Sequence, residues 1–143
     1  MQVETNYLGT IEIEQADVLH FPNGLPGFPL ENEFVLIPFP QSDFFLLQST
    51  KGKHVAFVCL NPFSIWQDYR IELDQNTIDQ LKIEKETDVA VFVLITVKDP
   101  FSTSTANLNA PLVMNTVSHL GKQLIYEAQL YPSKALLAGK GGE

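Results

Sequence analysis

A mainly β domain, built as a compact antiparallel β-barrel-like or sandwich fold with one short helix, is predicted by three features of this sequence. The first is the stretch Asp88 to Val97. Read as an extended strand, it puts Val89, Val91, Val93, Ile95 and Val97 on one face and Ala90, Phe92, Leu94 and Thr96 on the other. With both faces nearly apolar it must be covered from both sides, and its β-branched content favours a central strand over a buried helix. The second is the recurrence of short apolar runs at near-regular spacing, divided by turns rich in Pro, Gly, Asn and Asp. The third is that a helical period, opened by a capping residue, occurs at one place only.

Taken in order, Gln2 to Thr5 and Leu8 to Glu14 are expected as strands around Asn6-Tyr7. Ile11 and Ile13 then face the core while Glu12 and Glu14 face water. Asp17 to Phe21 continues the alternation. Pro22 to Pro29 holds three prolines and two glycines in eight residues. Asn23-Gly24 and Pro26-Gly27 are turn signals, because glycine takes positive φ and proline fixes its own, and Leu25 and Phe28 anchor the corner. Strands follow at Phe34–Ile37, Phe44–Gln48 and His54–Leu60. Asn61 to Trp66 breaks the sheet, and Tyr69, Ile71 and Leu73 alternate with Arg70 and Glu72 as a further strand. Asp74 caps a helix expected from Gln75 to about Ile83, where Ile78 and Leu81 recur at helical spacing. After the central strand, the polar run Phe101 to Leu108 is expected at the rim. Strands near Leu112–Asn115 and Lys122–Glu127 complete the core. The chain is read as one domain over residues 1–135 with a disordered tail at 136–143, whose end, Gly139 to Glu143, carries nothing to order it.

Net charge is −8. Residues 1–50 contain seven acids and no Lys or Arg, whereas the remainder carries ten acids against nine bases. An acidic chain repels phosphate backbones, so direct nucleic-acid binding is not expected and a basic protein partner is. No basic and apolar leader opens the sequence, and no apolar run nears the ~20 residues of a membrane helix. A soluble, cytoplasmic, monomeric protein without membrane contact is therefore expected. The single cysteine, Cys59, lies inside an apolar run and reads as a small buried hydrophobe.

No cofactor, metal or catalytic residue is predicted. His20, His54 and His119 stand far apart with no ligand-spacing pattern. Neither Asn23 to Gly27 nor Lys51-Gly-Lys53 matches a phosphate-cradling loop. Ser102, Ser104 and Thr105 lack the Gly-x-Ser-x-Gly elbow of a nucleophile, and serines in such loops usually cap or turn. A small cytoplasmic hydrolase or lyase with a site at the Ser102–Asn107 loop is the alternative, with His119 and Asp99 as partners of the serines, and a pocket holding His119 beside Ser104 would favour it. Phe63, Trp66 and Tyr69, close together at the sheet break, read first as core plugs, and as an aromatic cluster at a rim they are also candidate partner contacts.

Several segments resemble those of the FliW family of flagellar assembly factors. They are Thr5 to Gly9, Asn23 to Phe28, Leu47-Gln48-Ser49, Asn61-Pro62-Phe63, Ser104 to Leu108, Ala110 to Asn115 and Gly121 to Gln123. The likeness spans Val3 to Tyr131, with Met114 where a branched aliphatic is usual and Lys134-Ala135 in place of a more basic ending. It implies a β-barrel-like protein without enzymatic activity that binds flagellin in the cytoplasm. It further implies binding of CsrA, the RNA-binding repressor of flagellin translation, with the two partners exchanging so that flagellin level governs flagellin translation. Expected partner contacts are Phe63, Ile65 and Trp66 for flagellin and Glu12, Glu14, Glu31 and Glu33 for CsrA. Asn23, Gly24, Pro26, Gly27, Phe28, Thr105 and Asn107 are expected to be structural, with glycine alone comfortable at positions 24 and 27 and Asn107 closing a turn on its own backbone.

Overall fold

A computed structural model describes residues 1–126 and 128–137. Strands β1 (Gln2–Thr5) and β2 (Gly9–Glu12) form a separate antiparallel hairpin in which Val3 faces Ile11. Its turn is tied by Thr5, whose hydroxyl donates to the Gly9 carbonyl and accepts the Leu8 N–H, each at 2.8 Å. The main sheet draws on β3 (Leu19–His20), β4 (Glu33–Pro38), β5 (Phe44–Ser49), β6 (Ala56–Leu60), β7 (Val89–Thr96), β8 (Thr105–Ala106), β9 (Leu112–Asn115), β10 (Gly121–Gln123) and β11 (Ala135–Leu136). Strand order is β10-β9-β7-β6-β5-β4-β3, and β8 pairs with both β7 and β11. All these pairings are antiparallel. One isolated bridge, in which the His20 N–H donates to the His119 carbonyl at 2.8 Å, joins the two ends of this path. The sheet does not close into a barrel, and a sandwich-like arrangement is what forms.

β7 is the strand around which this arrangement is organised, touching β6, β8 and β9. Its even residues Ala90, Phe92 and Leu94 pack into one core with Phe21, Phe34, Leu47 and Leu112. Its odd residues Val89, Val91, Val93 and Ile95 pack into a second core with Leu60, Tyr69, Leu108 and Leu137. Burial on both faces is what the alternating apolar sequence requires, at roughly 1.5–3 kcal/mol per fully buried large side chain. A third, smaller cluster seats Ile11 and Ile13 of the hairpin on Val18, Val35 and Ile37. Cys59 is buried in the first core, which pushes its thiol pKa up to about 12.

Helix α1 (Gln75–Gln80) is capped by Asp74, which accepts the Thr77 N–H at 2.8 Å. It ends three residues before the predicted limit, with Lys82 at φ 56 turning the chain. The strand expected at Tyr69–Leu73 does not pair. Burial does alternate along it, but the main-chain N–H of Arg70 goes to the Tyr131 hydroxyl at 3.1 Å instead of to a ladder. The last predicted strand is shorter, ending at Gln123, and Glu127 lies outside the described residues. Only the start of the polar loop is at the rim. Phe101 to Thr103 are exposed, whereas Ser104 and Thr105 are buried by the β8 pairing. Of the residues assigned to the tail, Leu136 pairs with Thr105 and Leu137 is buried in the second core. Residues 138–143 lie outside the described residues.

Candidate functional site

The sheet break creates a depression whose lining side chains are mostly apolar. Asn61 accepts the Phe63 N–H through its side chain at 2.9 Å, and Pro62 opens a single 3-10 turn over Pro62–Ser64. The chain is thereby lifted out of the sheet, since proline brings no N–H to a ladder and fits the first turn of a helix. Behind it lies a groove of about 480 Å³ lined by Phe63, Ile71, Leu73, Ile78, Ile83, Val89 and Val91, with Glu86 its one charged side chain. A larger depression of about 670 Å³ lies on the other side of Leu73, among Arg70, Glu72, Asp74, Tyr126, Leu130 and Tyr131. Its lining carries three charged side chains, Arg70, Glu72 and Asp74, against the single one of the first groove.

The three predicted aromatic and aliphatic contacts divide. Phe63 is 38% exposed and forms a wall of the groove, its ring centroid 5.9 Å from that of Tyr69. Ile65 and Trp66 are half-buried and pack against the second core, so their main role in the free protein is to close that core. Tyr69 is buried beside Phe63 in the second core. Its hydroxyl donates to the Leu108 carbonyl at 2.6 Å, and burial, with Tyr126 and Tyr131 nearby, raises its pKa well above the usual tyrosine range. Residues that sequence reasoning missed are Ile71, Leu73, Ile78, Ile83, Glu86, Val89 and Val91. Their periodicities read as core, and only the unpaired course of residues 69–73 leaves them open to one groove.

The acids divide too. Glu12 and Glu14 are exposed on the outer side of the β1–β2 hairpin, with Glu4 and Asp17 also exposed. Glu12 lies 3.7 Å from the N-terminal amine. Glu31 and Glu33 are half-buried and engaged, Glu31 accepting the Ser49 hydroxyl at 3.1 Å and Glu33 facing Lys51 at 3.8 Å. They brace the β5–β6 connection, which the sequence did not show because their partners are eighteen residues further on.

At the corner, Gly24 and Gly27 have φ of +67° and +83°. Leu25 and Phe28 exchange main-chain hydrogen bonds across it, at 3.3 and 2.8 Å. Asn23 and Pro26 are exposed at its tip, and Phe28 packs edge-on to Phe57 at 5.9 Å. Thr105 lies in β8, and Asn107 accepts the Asn109 N–H through its side chain at 3.0 Å. Ser104 is fully buried with its hydroxyl accepting the Lys98 N–H at 2.8 Å, while His119 lines a separate depression with Asp17, Phe92 and Met114. Asp99 is exposed in the turn after β7. The pairing of Ser104 with His119 that a hydrolase would need is not formed.

Comparison with known proteins decides the family. The FliW protein family matches residues 2–137. The chain belongs to the FliW family. A flagellar assembly factor FliW of Shouchella clausii is 49% identical over 145 residues, covering 99% of each chain, and one of Anoxybacillus flavithermus is 48% identical over 134 residues, covering 94% and 92%. A crystal structure of the flagellar assembly factor FliW superposes with a TM-score of 0.91 at 44% identity, covering 96% of each chain. FliW membership accounts for the sandwich. Among the described residues no helix is long and apolar enough to cross a membrane.

Proposed function

We propose that this protein is a flagellar assembly factor that binds cytoplasmic flagellin and, by exchange, sequesters the translational repressor CsrA, so that the flagellin level sets flagellin translation. The observation that carries this reading is near full-length identity of up to 49% to proteins named flagellar assembly factor FliW. Flagellin engages the groove beside Phe63, because a segment that is buried only within the filament presents apolar side chains when unassembled. CsrA, which binds RNA and so presents basic surface, is drawn to the exposed acids of the β1–β2 hairpin, Glu12 and Glu14 first. Among the described residues, Ser104 and His119 are not brought together as the hydrolytic reading would favour.

Titrations with both partners test this. Ile78→Asp places a charge in the groove and should weaken flagellin binding at least tenfold while CsrA binding persists. Glu12→Lys with Glu14→Lys should slow CsrA association, an effect that fades as salt shortens the screening length below about 8 Å, and should spare flagellin. Failure of both proteins to bind overturns the proposal, and equal sensitivity of both to salt overturns the division of labour.

A further inference from the structure

The groove has a floor of unpaired main chain. β6 and β7 pair in a register that sets Cys59 opposite Leu94 and Leu60 opposite Val93. Continued, that register would set Pro62 opposite Val91. Pairing parity then fixes which way the groups of β7 point. The Thr116 N–H donates to the Asp88 carbonyl at 2.8 Å, so Asp88, Ala90 and Phe92 direct their main-chain groups at β9, and Val89, Val91 and Val93 direct theirs at β6. Val93 finds Leu60. Val91 finds only Pro62, which has no N–H, and whose carbonyl already accepts from Ile65 and Trp66 at 3.1 and 2.8 Å. The Val89 N–H is taken by the Glu86 carbonyl, leaving the Val89 carbonyl open. Three groups, the Val91 N–H, the Val91 carbonyl and the Val89 carbonyl, therefore face the groove with no partner among the described residues.

We infer that this groove is a strand acceptor. An extended segment of the partner protein adds to the open edge of β7 at Val89–Val91, taking up the antiparallel register that β6 abandons at Pro62, with a basic residue reaching Glu86. The inference rests on the groove being the partner site and goes beyond it by fixing the form of the occupant. A helix satisfies its own main chain and would leave all three groups facing apolar walls, whereas a strand supplies one N–H and one carbonyl to Val91 and a second N–H to Val89. Alternate side chains of such a segment fall between Phe63 and Ile71 on the second-core side, where the apolar walls lie. Glu86 is exposed in the turn that leads into β7, so it meets the C-terminal end of an antiparallel guest, and its carboxylate selects a cation there.

Amide hydrogen exchange on the full ¹⁵N-labelled chain tests this first without a partner. The Val91 amide should exchange at least tenfold faster than those of Ala90 and Phe92, and equal protection of the three overturns the open edge. Monomeric flagellin is then added. The Val91 amide should slow at least tenfold while Ala90 and Phe92 stay unchanged. Flagellin that binds and shifts the Phe63 and Ile78 resonances but leaves Val91 exchange unaltered overturns the strand form and leaves the groove reading standing. A blocked pentapeptide, Val-Thr-Val-Thr-Lys, separates the two ideas. Its protection of Val91, with at least fivefold weaker binding to Glu86→Lys, supports the acceptor even where flagellin fails to bind. A peptide that binds without protecting Val91, or does not bind at millimolar concentration, overturns it.

Discussion

The corner at residues 22–30 and the break at 61–73 are both proline-bearing interruptions of the sheet, yet one is sealed and the other is open. At the corner the Gly24 N–H donates to the Phe21 carbonyl at 2.8 Å, and Leu25 and Phe28 bond to each other, so the local main chain is largely consumed within the turn. At the break, Pro62 diverts its own carbonyl into a 3-10 turn and leaves the facing edge of β7 uncovered. The difference teaches that proline content alone does not distinguish a structural turn from a recognition surface. What decides is whether the hydrogen-bonding groups across from the interruption find partners within it.

Breaking the seal should have the largest effect. A methyl group at Gly24 would lie 2.5 Å from the Phe28 carbonyl oxygen and 2.6 Å from Pro29 Cα, on a backbone already at φ +67°. Gly24→Ala should therefore lose about 3 kcal/mol or more of stability by urea denaturation. Gly27 has φ +83° with nothing within 4 Å of a built Cβ, so Gly27→Ala isolates the backbone term at about 1 kcal/mol. Equal losses at the two positions would mean that the packing around Gly24 does not clamp the corner. Between these lies Trp66→Ala, which removes a half-buried ring from the second core and should lower stability by about 2–3 kcal/mol. Phe63→Ala should change stability by less than 1 kcal/mol and act instead on flagellin affinity. A reversed order, with Phe63 dominating the melting temperature, would make the break as structural as the corner.

The smallest effect belongs to the helix that walls the groove. Hydrogen bonds from the Thr77 hydroxyl and main-chain N–H hold the Asp74 carboxyl below the usual aspartate range. A pKa depressed in the folded state gives stability that is present above the unfolded value and is lost as pH falls through the folded one. Asp74→Asn keeps an acceptor for the cap and cannot titrate, so it should flatten the pH–stability profile below about pH 4. An unchanged slope there would mean that the cap does not contribute to acid sensitivity.

Much of this was legible from residue order. The double-faced burial of β7 follows from its alternation, the Asp74 cap from its position before a helical period, and the conformations of Gly24 and Gly27 from turn chemistry. The strand at 69–73 was misread because its alternation is real but its ladder partner is absent, and alternation reports burial, not pairing. Glu31 and Glu33 look like surface charge until Ser49 and Lys51 come against them. The groove was hidden for the same reason, as its walls come from Phe63, residues 71–73, residues 78–83 and β7. No local pattern encodes where four separate segments stop short of one another.

The burial of Cys59 has a practical side. With burial pushing its thiol up to about 12, the reactive thiolate is scarce at pH 8, and no exposed thiol accompanies it, since this is the only cysteine of the chain. Maleimide chemistry will therefore pass over the native protein. A cysteine introduced at an exposed position, such as Ser64 on the lip of the groove or Thr10 on the acidic hairpin, becomes the sole labelling site without any background substitution in the core. Dye pairs placed that way can report on each partner's arrival and departure separately, in a chain whose interior chemistry has not been altered to make the experiment possible.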